Sequence, residues 1–141
     1  MLATRTFRMS KRKGHVAIAR RRVRETLASW GAPAEKADAV TLLANELVTN
    51  AVTHCHVSQA VIEVTLALKG AELTVEVSDP DRDRLPRLHA AGPDAEGGRG
   101  LALVAELADA WGHRQGPYTK CVWARFTLTG QPRRADVPAG L

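Results

Sequence analysis

Glu46 and Asn50 stand four residues apart in the run Asn45-Glu46-Leu47-Val48-Thr49-Asn50-Ala51-Val52-Thr53-His54. On a helix that spacing puts both side chains on one face. An amide oxygen there is a ligand of the kind Mg²⁺ takes, and Mg²⁺ carries phosphates with it. A carboxylate one turn earlier is placed to accept a proton from an attacking hydroxyl. The same spacing also suits an ordinary hydrogen-bonded Glu/Asn pair. A second candidate is Asp79. Strand alternation sets it on the side of Leu73, Val75 and Val77. An unpaired carboxylate on a core face is costly, so Asp79 needs a donor. The exocyclic amino group of a purine would supply one and would select adenine over guanine. The competing reading is that Asp79-Pro80 opens a turn and the carboxylate caps its own backbone. A third candidate is Glu96-Gly97-Gly98-Arg99-Gly100-Leu101. Glycines opening a helix leave N–H groups free beside the positive helix end, which attracts phosphate. Arg99 adds a bidentate charge contact. A plain flexible loop entering a helix has the same composition.

Taken together the three are more specific than any one. A Glu/Asn helix face, an inward Asp at a strand end and a glycine-rich helix entry, in that order, suit one nucleotide: metal, adenine and phosphate each have a partner.

The elements that must hold these residues are legible from periodicity. Residues 4–9 read as a short edge strand. A helix is predicted from about His15 to Trp30, with Val16, Ala19, Val23, Leu27 and Trp30 at helical spacing and Gly31 as its stop. A second helix covers Ala34 to His54, with Val40, Ala44, Leu47 and Ala51 as its core stripe. Ile62, Val64, Leu66 and Leu68 alternate with polar neighbours, as do Leu73, Val75 and Val77, so two strands flank a hairpin turn at Lys69-Gly70. Residues 80–98 carry three prolines and three glycines and read as a mobile loop. A third helix is expected to begin near Gly98–Gly100, with Leu101, Val104, Leu107, Ala108 and Trp111 inward. A last strand is read from Val122, Ala124, Phe126 and Leu128. Residues 131–141 are Pro/Gly/Arg-rich and expected to be a disordered tail, which leaves 1–130 as a single domain. The order β-α-α-β-β-loop-α-β-β implies an α/β (α+β) two-layer sandwich, a mixed, mainly antiparallel sheet with helices on one face.

The chain has 141 residues, enough to bury a core, with 45% apolar and 25% charged residues. No apolar run is long enough for a membrane span, and residues 1–25 lack a signal-peptide core, so the expected compartment is the cytoplasm. Cys55 and Cys121 form no CxxC pair and are expected reduced. His54, Cys55 and His56 are consecutive and share no helix face, which argues for a frayed helix end rather than a metal site. The net charge of +5 is uneven: Arg5, Arg8, Lys11, Arg12, Lys13, Arg20, Arg21, Arg22 and Arg24 all precede the first acidic residue, Glu25. Such a block suits nucleic acid, an acidic protein face or simply a solvated helix face. With aromatics at 4%, a base-stacking surface is not favoured, and no direct nucleic-acid role is assigned.

With these residues in view the chain resembles the GHKL ATPase superfamily, and within it the small bacterial anti-sigma-factor serine/threonine kinases. ELVTNAVTH (Glu46 to His54) is similar to that family's N box. VSDPD (Val77 to Asp81) is similar to its first glycine box, and GGRGLALVAELADAWG (Gly97 to Gly112) to its second. ARRRVRETLASWG (Ala19 to Gly31) resembles the first helix of actinobacterial members. The likeness spans roughly residues 7–128. It implies the Bergerat sandwich, binding of ATP with Mg²⁺, phosphorylation of a serine on an anti-anti-sigma partner, sequestration of a sigma factor, and often a homodimer. By the resemblance Glu46 is the catalytic base, Asn50 the magnesium ligand and Asp79 the adenine contact. Gly98 and Gly100, with Arg99 and Leu101 beside them, then lie at the phosphates. Two positions depart from the usual pattern: Asp81 replaces a common glycine, and Thr119 rather than glycine precedes Lys120. An added carboxylate beside the base is expected to weaken ATP binding. A histidine kinase fits less well, because the ATP domain is expected to fill the chain and leave no phospho-acceptor helix pair. The reading from a different class is a non-catalytic module whose partner surface is switched by nucleotide.

Overall fold

The computed structural model describes residues 2–83 and 106–128. Seven elements follow in chain order: β1 (Leu2–Ser10), α1 (Gly14–Ser29), α2 (Ala34–His54), β2 (Val61–Lys69), β3 (Glu72–Asp79), β4 (Ala110–Gln115) and β5 (Lys120–Thr127). The strands form one sheet in the order β1-β2-β3-β5-β4. Every ladder is antiparallel, so the mixed sheet expected from the element order is wholly antiparallel among the described residues. The α+β sandwich itself is as expected.

Helix α1 buries Ala19, Val23, Thr26 and Leu27, a stripe at helical spacing with arginines between. It ends as its sequence requires. Gly31 takes φ +75°, its N–H bonds Ala28 O, and Ala32 N–H reaches back to Leu27 O, the paired closure of a Schellman motif. Helix α2 follows Pro33, whose missing N–H costs nothing at a helix start, and Glu35 in its first turn suits the positive helix end. Its buried stripe is Val40, Thr41, Leu43, Ala44, Leu47, Val48 and Ala51. The helix packs on α1 and on β2 and β3, above a sheet face made of Phe7, Ile62, Val64, Leu66, Leu73, Val75, Val77, Ala124 and Phe126.

The β2–β3 hairpin turns at Gly70, which sits at φ +62°, a conformation that strains any residue with a Cβ. Strand β1 pairs with β2 along its whole length, longer than residues 4–9.

The third helix needs correction. Residues 106 and 107 are helical, but Trp111 lies on β4 opposite Ala124. Helical spacing runs on through Trp111, yet Asp109 stops the helix: its N–H bonds Arg125 O at 2.8 Å, and its carboxylate accepts the Thr127 N–H at 2.8 Å. Trp111 still packs against the core, now by strand alternation. Leu128 is buried just beyond β5, its N–H on Ala71 O. The sheet's other face is laced by cross-strand pairs: Arg8 with Glu63, Arg114 with Glu76, Arg125 with Glu72, and Thr6 with Thr65. There Arg125 lies over the Trp123 ring, and burial pushes the Cys121 thiol above its ordinary range.

Candidate functional site

The site grows from the ends of α2, β3 and β5. β3 and β5 pair so that Asp79 stands opposite Lys120, and both side chains turn to the helix-covered face. Asp79 is 3% exposed and Lys120 6%. Lys120 Nζ lies 3.1 Å from Asp79 Oδ1 and 3.1 Å from Oδ2. The Asp81 N–H donates to Asp79 Oδ1 at 2.8 Å, and Lys120 also donates to the Asp81 carbonyl at 3.1 Å. The inward placement of Asp79 read from alternation is therefore correct. The donors it needs come at least in part from the chain: Lys120 supplies the charge, and the Asp81 N–H closes a turn on it as the capping reading has it. Capping and charge pairing hold together, and the desolvation cost of the carboxylate is met within the chain.

Lys120 is the site residue that the motif reading left unassigned. Its signal was present: Lys120 continues the inward series Val122, Ala124, Phe126 by two, so a cation and an anion both fall on core faces of strands.

Asp81 joins this end of the sheet to α2. Its carboxylate accepts the His56 N–H at 2.7 Å, one residue past the Cys55 C-cap. The added carboxylate is thus engaged with the end of the helix. From the other side Lys11, just beyond β1, donates to the carbonyls of Cys55 and Val57 at 2.8 and 2.9 Å, where the helix dipole is negative. Part of the N-terminal basic block is spent in the same way on internal contacts: Arg8 on Glu63, Arg24 on Asp38, Arg20 on Asn45, and Arg22 over the Phe7 ring.

Glu46 and Asn50 are both half-buried on α2, beside its core stripe as the spacing implied. Asn50 is about 6 Å along the axis from the helix's last residue, and Glu46 about 6 Å further in, at 1.5 Å per residue. Neither side chain makes a hydrogen bond to another described residue. Asn50 thus offers an amide oxygen of the kind a hard cation takes, and Glu46 a carboxylate beside it. The Asp79 group stands at the same end of the sandwich, joined to α2 through Asp81.

The loop begins anchored rather than loose. Arg82 Nε donates to Gly116 O at 2.7 Å, and Gln115 Nε2 donates to Arg82 O at 2.8 Å, so the chain leaving β3 is tied to the β4–β5 turn. Gly98, Arg99, Gly100 and Leu101 lie outside the described residues, as do the rest of the loop and the 131–141 tail.

A family model described as histidine kinase-like ATPase domain matches residues 9–126. The chain belongs to the histidine kinase-like ATPase family. Among solved structures it is similar to the RsbU and RsbW domains of Rv1364c from Mycobacterium tuberculosis, with a TM-score of 0.67 and 20% identity over 93% of this chain and 34% of that one. It is also similar to the histidine kinase domain of a blue-light activated histidine kinase from Erythrobacter litoralis, with a TM-score of 0.53 and 23% identity over 68% of this chain and 46% of that one. These likenesses carry the fold, and the chain spans about a third and just under half of those two chains. No curated protein matches the sequence. No helix among the described residues is long and apolar enough to cross a membrane.

Proposed function

We propose that this member of the histidine kinase-like ATPase family binds ATP with magnesium, transfers the γ-phosphoryl group to a serine or threonine of an anti-anti-sigma partner, and sequesters a sigma factor in the cytoplasm as a homodimer. One observation carries the nucleotide part. Asp79 is buried and held by Lys120 and by the Asp81 N–H, yet among the described residues its Oδ2 meets only Lys120, so an acceptor position remains. An adenine amino group fills such a position, whereas guanine presents a carbonyl oxygen there. The resemblance of ELVTNAVTH and GGRGLALV to the anti-sigma kinases supports the partner part, as does the likeness to a chain carrying an RsbW domain.

In this reading Asn50 holds magnesium, which when bound neutralises phosphate charge. Glu46 accepts the proton of the incoming hydroxyl. That oxygen bonds to the γ-phosphorus, the bond from phosphorus to the β–γ bridging oxygen breaks, and ADP leaves. Gly98, Arg99, Gly100 and Leu101 flank the phosphates.

The test is calorimetric titration with Mg-ATP and Mg-GTP, followed by transfer of labelled phosphate to partners that co-purify with the chain. ATP is expected to bind about tenfold or more tightly than GTP, the worth of one hydrogen bond to a charged group. Labelled phosphoserine or phosphothreonine is expected on a partner. Nucleotide binding that alters partner affinity without transfer would leave a switch module instead.

A further inference from the structure

We propose that Lys120 is a positioning residue that sets base selection at Asp79, an inference that rests on the nucleotide-binding reading. An ammonium group has three N–H donors and no acceptor. Here Nζ meets three acceptors at 3.1 Å each: both oxygens of Asp79 and the carbonyl of Asp81. Two hydrogen bonds, to Asp79 Oδ1 and the Asp81 carbonyl, and the ion pair with Oδ2 therefore turn the ammonium group into the chain. Asp79 is the complement. Oδ1 takes two donors, Lys120 and the Asp81 N–H, while Oδ2 faces only Lys120.

Selection follows from this division. A carboxylate paired with a fixed cation can only accept, so the position left at Oδ2 takes a donor such as the adenine amino group and repels the guanine carbonyl. An untied lysine would do the opposite, offering N–H groups to that carbonyl. The Asp81 carbonyl opposes this by accepting one of its N–H groups. Asp81 is itself fixed through its carboxylate to His56 N–H, so the device is anchored on α2 as well as on two strands. Without Lys120, Asp79 keeps only the Asp81 N–H among its described partners, so the direction in which Oδ2 accepts is no longer fixed. Lys120 would thus act on the base through Asp79, without touching it.

The experiment compares Mg-ATP and Mg-GTP affinities of wild type, Lys120→Arg, Lys120→Met and Lys120→Gln by titration, with thermal melting to establish folding. Wild type is expected to favour ATP about tenfold or more, from one hydrogen bond to a charged group. Lys120→Arg keeps the charge and is expected to retain that preference, while Lys120→Met lets the ratio fall toward one. Where Lys120→Met does not fold, Lys120→Gln, which keeps an N–H toward Asp79 without the charge, is expected to lose the preference too. A folded Met or Gln variant that binds both nucleotides more weakly in equal proportion would show a structural role and overturn the proposal. So would an unchanged ratio. Wild type binding neither nucleotide would instead sink the functional reading on which it rests, and equal binding of both would sink the Asp79 contact.

Discussion

At the scale of single residues, the proposed function gives α2 two groups whose tasks separate in time. Asn50 as a metal ligand acts from the moment nucleotide binds, whereas a base at Glu46 is needed only as the hydroxyl loses its proton in the transition state. Glu46→Gln is therefore expected to bind Mg-ATP nearly as wild type and to lose about 10²–10⁴-fold in phosphotransfer, the usual contribution of a positioned base. Asn50→Ala is expected to lose both. Titration and single-turnover transfer on the same preparations check this, and wild-type turnover in Glu46→Gln would remove Glu46 from the role. Since neither side chain is bonded to a described neighbour, both substitutions should leave the melting temperature nearly unchanged.

At the scale of elements, β4 depends on a glycine. A Cβ built on Gly112 would lie 2.9 Å from Trp123 Cζ2 and 3.1 Å from Cε2 of the same ring. Trp123 belongs to β5, directly opposite Gly112, and is held by Arg125 above it. Gly112→Ala is expected to displace the indole and to cost about 1–3 kcal/mol, the range for overpacking. The midpoint of urea unfolding should fall, and near-ultraviolet dichroism of the tryptophans should change. An unaltered midpoint would mean the ring gives way freely. This strand also shows where periodicity stops being informative. Residues 101–111 satisfy a helical spacing, and nothing local says that Trp111 obeys an alternation of two instead. The decision comes from Asp109 bonding to Arg125 and Thr127, partners on another strand. By contrast α1, α2, β2 and β3 were legible because each stripe is long and each end is marked by Gly31, Pro33 or Gly70. The face shared by Glu46 and Asn50 and the inward turn of Asp79 follow from such stripes. The pairing of Asp79 with Lys120 required the β3–β5 register, which no local pattern encodes.

At the scale of the whole molecule, nucleotide binding is linked to stability. A ligand at about a hundred times its dissociation constant adds about 2.7 kcal/mol to unfolding, if it binds only the folded state. For a domain of this size that corresponds to a rise in melting temperature of roughly 5–10 °C. Mg-ATP is expected to produce it and Mg-GTP at equal concentration markedly less. In Asp79→Asn the two nucleotides should give similar, small shifts. A scanning melt with both nucleotides reads this directly, and no shift with Mg-ATP would contradict the binding reading.

The sheet order has a consequence for how the chain is made. β1 is synthesised before both helices, but its partner β2 begins only at Val61, after them. Until then β1 lacks its sheet partner, and among the described residues its far side is an edge of the sheet. Exposed edges of this kind invite pairing with other chains, and inserted charge is the common protection. The exposed Arg5 and Arg8 are placed to provide it, one on each face of the strand. Replacing both by valine should barely alter equilibrium stability, because Arg8 gives up only an exposed ion pair with Glu63. It should, however, lower the yield on refolding at high protein concentration, with light scattering as the readout. Such a result would make part of the N-terminal basic block a gatekeeper of the nascent strand.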